Sequence, residues 1–168
     1  MVILKKILDF YINSSLHVAL SAFALVSMTQ YFFGVEEDFS VAFFAFFGTV
    51  IGYNFVKYDA IARLNKTEIK KELKAIVFLS FISLLACFYF FLQLSWESKL
   101  SAFAFFGLTL LYTLPFFPNK QNARNWKGVK IYIVGITWVG VTVIIPLVEA
   151  EIPFSMDVLL MAFQRFLL

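Results

Sequence analysis

The chain has 168 residues, of which 61% are hydrophobic and only 15% charged, and its net charge is +3. With a mean hydropathy of +0.84 it is not an ordinary soluble domain, whose core could not take in so much apolar surface. A charge this small does not point to nucleic acid either. Lipid as the solvent accounts for the surplus, and for 23 Phe, a side chain with no polar tip to satisfy. The single Cys, Cys87, lies in an apolar segment and reads as a small packing residue.

The first segment, Val2-Ile-Leu-Lys5-Lys6-Ile-Leu-Asp9-Phe10-Tyr11, is amphipathic, and no small-residue cleavage site follows it before the next apolar run. It is predicted to be an uncleaved interfacial segment. Asn13-Ser14-Ser15 then offers N-caps for a first span over about 14–33, close to the ~20 residues that cross hydrocarbon. His17 is the only His, and no second His or Cys is placed to complete a metal site, so it reads as a packing or interfacial residue. After an acidic turn, Gly34-Val-Glu36-Glu37-Asp38, span two is predicted at about 40–58. Its Gly48-x-x-x-Gly52 predicts close approach by another helix. Near its end Asn54, Lys57 and Tyr58 fall at i, i+3 and i+4, which puts an amide, a cation and a phenol on one helical face. A charged connector through Arg63, Lys66, Lys70, Lys71 and Lys74 follows, with the spacing of a solvated helix.

Span three is predicted at about 75–94, and Ser95-Trp96-Glu97-Ser98-Lys99 as a tight turn with an interfacial Trp. Span four, about 100–117, closes with Leu111-Tyr112-Thr-Leu-Pro115, where the proline ring removes a helix donor. The polar loop at 119–130 carries Lys120, Arg124, Trp126, Lys127 and Lys130. Span five, about 131–148, contains Trp138 and is expected to end near Pro146, with Glu149 and Glu151 in a solvated turn. A sixth apolar segment starts near Phe154, passes Asp157 and Arg165, and reaches only Leu168. At 1.5 Å per residue that falls short of a ~30 Å core, so the chain is expected to be the front part of a longer bundle. If the N-terminus is inside, every Lys and Arg except Lys99 falls on the inner side and the acidic turns fall outside. The expected fold is therefore all-α: one polytopic transmembrane helical bundle over 1–168, with five full spans plus a partial sixth and a cytoplasmic N-terminus.

Two long basic loops beside Asn54, Tyr58 and Tyr112 can gather around a diphosphate, or can simply satisfy topology and attract anionic lipid. The residues Gly52-Tyr-Asn54-Phe-Val-Lys57-Tyr58, Leu111-Tyr112-Thr-Leu-Pro115-Phe, Gly128-Val-Lys130-Ile-Tyr132 and Trp138-Val-Gly-Val-Thr142-Val favour the first alternative. In them the chain resembles the UbiA superfamily of intramembrane prenyltransferases, most closely its Bacteroidetes-type prenyltransferase-like members. The resemblance implies a bacterial inner-membrane protein that transfers an isoprenyl group from its diphosphate to an apolar or aromatic acceptor. It also implies Mg²⁺ held by two Asp-rich motifs. Placed on Asn54, the family's first motif, Asn-Asp-x-x-Asp-x-x-x-Asp, sets its aspartates at Phe55, Tyr58 and Ala62, none of them a carboxylate. By the resemblance the diphosphate would meet Asn54, Lys57, Tyr112, Lys120, Arg124, Lys127 and Lys130, with no metal ligand identified. The rival reading is a non-catalytic membrane scaffold or transporter-like fragment. A transporter calls for paired ionisable groups in mid-span, and spans one to five have none.

Overall fold

The amphipathic start forms α1 (Val2–Asn13), which passes into α2 (Leu16–Phe32) through a bend of 60°. A computed structural model describes residues 2–36, 38–64, 71–114 and 128–168. Ser15 makes the corner with a φ of +61°, left-handed backbone that few non-glycine residues adopt. Its hydroxyl does not cap α2, so the serines expected to be caps serve as an elbow instead. Ile3, Leu4 and Ile7 stay exposed, as the apolar side of an interfacial helix requires.

The apolar run after the acidic turn forms α3 (Phe39–Leu64), and α4 (Lys71–Gln93) returns beside it. Ser40 meets Gln93, Gly48 faces Cys87 and Asn54 meets Ser80, so the two helices run antiparallel. The glycine pair does not give the close approach its spacing predicts. A Cβ on Gly48 would sit 3.7 Å from the Cys87 sulfur, an ordinary contact, and one on Gly52 would meet nothing within 4 Å. On its far side α4 presents Phe78, Phe81, Leu85, Phe88 and Leu92, an exposed stripe at helical spacing.

Helix α5 (Trp96–Thr113) begins earlier than hydropathy predicts. The Ser95 hydroxyl accepts the Ser98 N–H at 3.3 Å, and the Glu149 carboxylate accepts the Ser95 N–H at 2.9 Å and its hydroxyl at 2.8 Å. Residues expected to form a tight turn therefore make the first turn of α5, and Glu149 is engaged there rather than lying in a merely solvated turn. Tyr112 is buried near the end of this helix, and residues 115–117, which the predicted span four includes, lie outside the described residues.

Pro146 does not end the fifth apolar segment. Helix α6 (Val129–Val139) continues through a π turn at Gly140–Ile144 into α7 (Ile145–Glu149). Pro146 has no N–H to offer the Thr142 carbonyl four residues earlier, and that carbonyl accepts the Thr29 hydroxyl of α2 at 2.7 Å. Gly140 is where a side chain is excluded, because a Cβ there would run into the Phe105 ring of α5. The last helix, α8 (Met156–Leu167), is capped by Ser155, whose hydroxyl accepts the Val158 N–H at 3.4 Å.

All regular structure among the described residues is helical. Among the described residues three stretches are long and apolar enough to cross a membrane: Phe39–Tyr58, Leu73–Gln93 and Val129–Glu149, with mean hydropathies of 1.7, 2.5 and 2.3. The bent pair α1 and α2 makes up to four if counted as one span, and on this ground the chain is a membrane protein. Val26, Val41, Ala45, Ala102 and Ile145 form the main core, where α2, α3, α5 and α7 converge. A second cluster, Val143, Leu147, Val158 and Met161, seats α8 on the π turn and α7.

Candidate functional site

Asn54 is buried, and its Nδ2 donates to the Ser80 hydroxyl at 2.9 Å while that hydroxyl donates to the Ile76 carbonyl. Its Oδ1, also buried, has no hydrogen-bond partner among the described residues. Lys57 and Tyr58, predicted to share a face with Asn54, turn instead to the α1–α2 elbow. The Lys57 ammonium donates to the Asn13 carbonyl at 3.2 Å and the Tyr58 hydroxyl donates to the same oxygen at 2.8 Å. Lys57 also lies 5.4 Å from the centre of the Tyr58 ring, within cation–π range. The end of α3 thus clasps the corner that Ser15 makes. Tyr112 is buried on α5, and Lys120, Arg124 and Lys127 lie outside the described residues.

Lys130 has a different setting. It is exposed on the first turn of α6 and lines a cleft of about 760 Å³. Ser21 and Leu25 of α2 form one wall, Val134 and Trp138 of α6 another, and Arg165 of α8 completes the lining. The cleft exists because α2 packs on the π turn, at Thr29 and Thr142, and draws apart from α6 on the other side of that contact. Gly135 keeps α8 close: a Cβ there would lie 2.8 Å from the Phe166 ring. Trp138 is held from outside the cleft, its Nε1–H donating to the Tyr53 hydroxyl of α3 at 3.1 Å.

Arg165 is the side chain that no motif picks out. The signal it gives in sequence is that of any ionisable group inside an apolar segment. In the fold it is only 5% exposed, and its Nη2 donates to the Leu25 carbonyl at a long 3.5 Å. Its Nε is buried without a hydrogen-bond partner among the described residues. The cleft lining holds two cations, Lys130 and Arg165, and no Asp or Glu side chain. Such a site suits a molecule with an apolar body and an anionic head.

The implied Mg²⁺ does not find its ligands here. Phe55 is exposed and Tyr58 is bonded to Asn13, at two of the positions where the family motif carries aspartate. Among the described residues no three His, Cys, Asp or Glu side chains converge to hold a metal. Comparison with protein-family models, with curated proteins and with solved structures found no match to this chain.

Proposed function

We propose that this chain is a UbiA-like membrane prenyltransferase homologue, of the kind that moves an isoprenyl group from its diphosphate to an apolar or aromatic acceptor. One observation supports the reading above others: the cleft between α2, α6 and α8 joins a largely apolar wall to the exposed cation Lys130. In this proposal the N-terminus is cytoplasmic, the bundle has five full spans with α8 as the partial sixth, and the membrane is the bacterial inner one. Lys130 then stands on the same side as the basic loop carrying Lys120, Arg124 and Lys127, where a water-borne diphosphate arrives. The tail lies along Val134 and Trp138, away from water, and the lysine neutralises the head. Mg²⁺, where the family uses it, offsets the charge of the departing diphosphate. No step is assigned to it in this chain, whose first-motif positions lack carboxylates.

Farnesyl diphosphate titrated onto the full chain in phosphatidylcholine nanodiscs tests the proposal. Saturable binding is expected, weakened by about 1–3 kcal/mol in Lys130→Ala through loss of a charge-assisted contact. Equal binding by wild type and variant rejects the role given to Lys130. The alternative, a non-catalytic membrane scaffold, draws support from Phe55, Tyr58 and Ala62 standing where aspartates belong. Farnesyl diphosphate bound without turnover in the presence of Mg²⁺ and an aromatic acceptor favours it.

A further inference from the structure

A guanidinium within a membrane helix bundle is costly unless its donors are met. Two hydroxyls of α2, those of Ser21 and Thr29, are satisfied locally. The Ser21 hydroxyl donates to the His17 carbonyl at 3.0 Å, and the Thr29 hydroxyl donates to the Leu25 and Thr142 carbonyls. Arg165 differs: it has five donor hydrogens, one long bond from its Nη2, and an Nε that is buried and without a partner among the described residues. The carbonyl it touches, Leu25, already accepts from Thr29 at 3.0 Å, so that oxygen is shared.

Lys130, which lines the same cleft, adds to this charge preference. Lys130 sits in the first turn of α6, where backbone N–H groups lack intrahelical acceptors and the helix dipole is positive. A cation is misplaced there on helix grounds alone, and an anion would relieve it. Gly128 opens this helix with a φ of +84°, and among the described residues no side chain caps its N-terminus. Two cations therefore border one cavity of about 760 Å³ whose lining contains no Asp or Glu side chain.

We infer that Arg165 is a binding residue: with Lys130 it forms a built site in the α2–α6–α8 cleft for the phosphate head of an amphiphile whose tail lies against Val134 and Trp138. The placement of the ligand rests on the cleft reading given under Proposed function; the role of Arg165 does not require transfer chemistry. Two sources supply this head chemistry, an isoprenyl diphosphate and an anionic phospholipid of the surrounding bilayer. The phosphate takes up the unpartnered Nε, and the planar fork of Arg gives it two parallel bonds that a lysine cannot.

The test uses the full chain in phosphatidylcholine nanodiscs, either titrated with farnesyl diphosphate or doped with phosphatidic acid, with bound molecules counted by native mass spectrometry. Arg165→Gln is expected to weaken binding of whichever probe the wild type takes by tenfold or more, and Arg165→Lys to recover only part of it. Should Arg165→Gln fail to elute as a folded species, Ser21→Glu carries the test. It sets a carboxylate on the cleft wall without removing either partner of the Arg165–Leu25 bond, and is expected to give a similar loss. If farnesyl diphosphate binding falls in Arg165→Gln and in Lys130→Ala, the inference stands together with the role given to Lys130. If the wild type ignores farnesyl diphosphate but holds phosphatidic acid through Arg165, the inference stands and the prenyl reading falls. Wild-type binding in Arg165→Gln and Ser21→Glu alongside a loss in Lys130→Ala overturns the inference alone. A wild type that retains neither probe overturns both.

Discussion

From Gly140 to Glu149 the continuous span formed by α6, the π turn and α7 is closed around its neighbours. From Lys130 to Trp138 the same span is open to the cleft. In the closed half a missing side chain lets the Phe105 ring in, a missing N–H is answered by Thr29, and a carboxylate binds the start of α5. The open half borders the cleft with Lys130, and α8 adds Arg165, whose donors are only partly engaged. Polar groups answered from within the bundle position helices; in the inference above, the open donors of Arg165 instead meet a ligand.

Mutations can break this contrast, and the largest effect is expected in the closed half. Gly140→Leu forces a branched side chain against the Phe105 ring, and overpacking of this kind costs about 3 kcal/mol. Unfolding by SDS titration in mild detergent measures it, and a loss below a third of that value would show that α5 can move aside. Thr29→Val keeps the shape but strands the Thr142 carbonyl beside a proline, for a smaller loss of about 1 kcal/mol. An undiminished midpoint would mean that this carbonyl finds another donor. The smallest effect belongs to Gly52→Ala, which meets no neighbour and should stay within about 0.5 kcal/mol of wild type by the same assay. A strong destabilisation there would restore the glycine-pair packing that the spacing predicts and the structure does not show.

Much of the helical frame is legible in hydropathy because each apolar run carries its own signal. Span two was expected at about 40–58 and is found at Phe39–Tyr58, and the apolar run expected at 131–148 is found at Val129–Glu149. What hydropathy misses depends on a partner distant in sequence. Gly52 and Gly140 look alike in an apolar run, and only the position of Phe105 tells them apart. Ser15 and Ser95 both read as helix starts; one has its backbone bent into a corner, while the other is held by Glu149, 54 residues away. Pro146 reads as a stop until Thr29 is placed beside Thr142. The same holds for the candidate site. Lys130 is visible as part of a basic loop, whereas Arg165 becomes a candidate only once α8 has folded against α6 and α2. Lys57 shows the reverse: conspicuous in sequence, it is tied to Asn13 in the fold.

The bond between Thr29 and the Thr142 carbonyl also bears on how the protein is made. Its two ends lie 113 residues apart, and Thr29 is the end that leaves the ribosome first. Pro146 has no N–H for that carbonyl, which in the folded bundle accepts the Thr29 hydroxyl of the earlier helix. In the order of synthesis the donor therefore precedes its acceptor, and this contact forms only once the Val129–Glu149 segment has docked on α2.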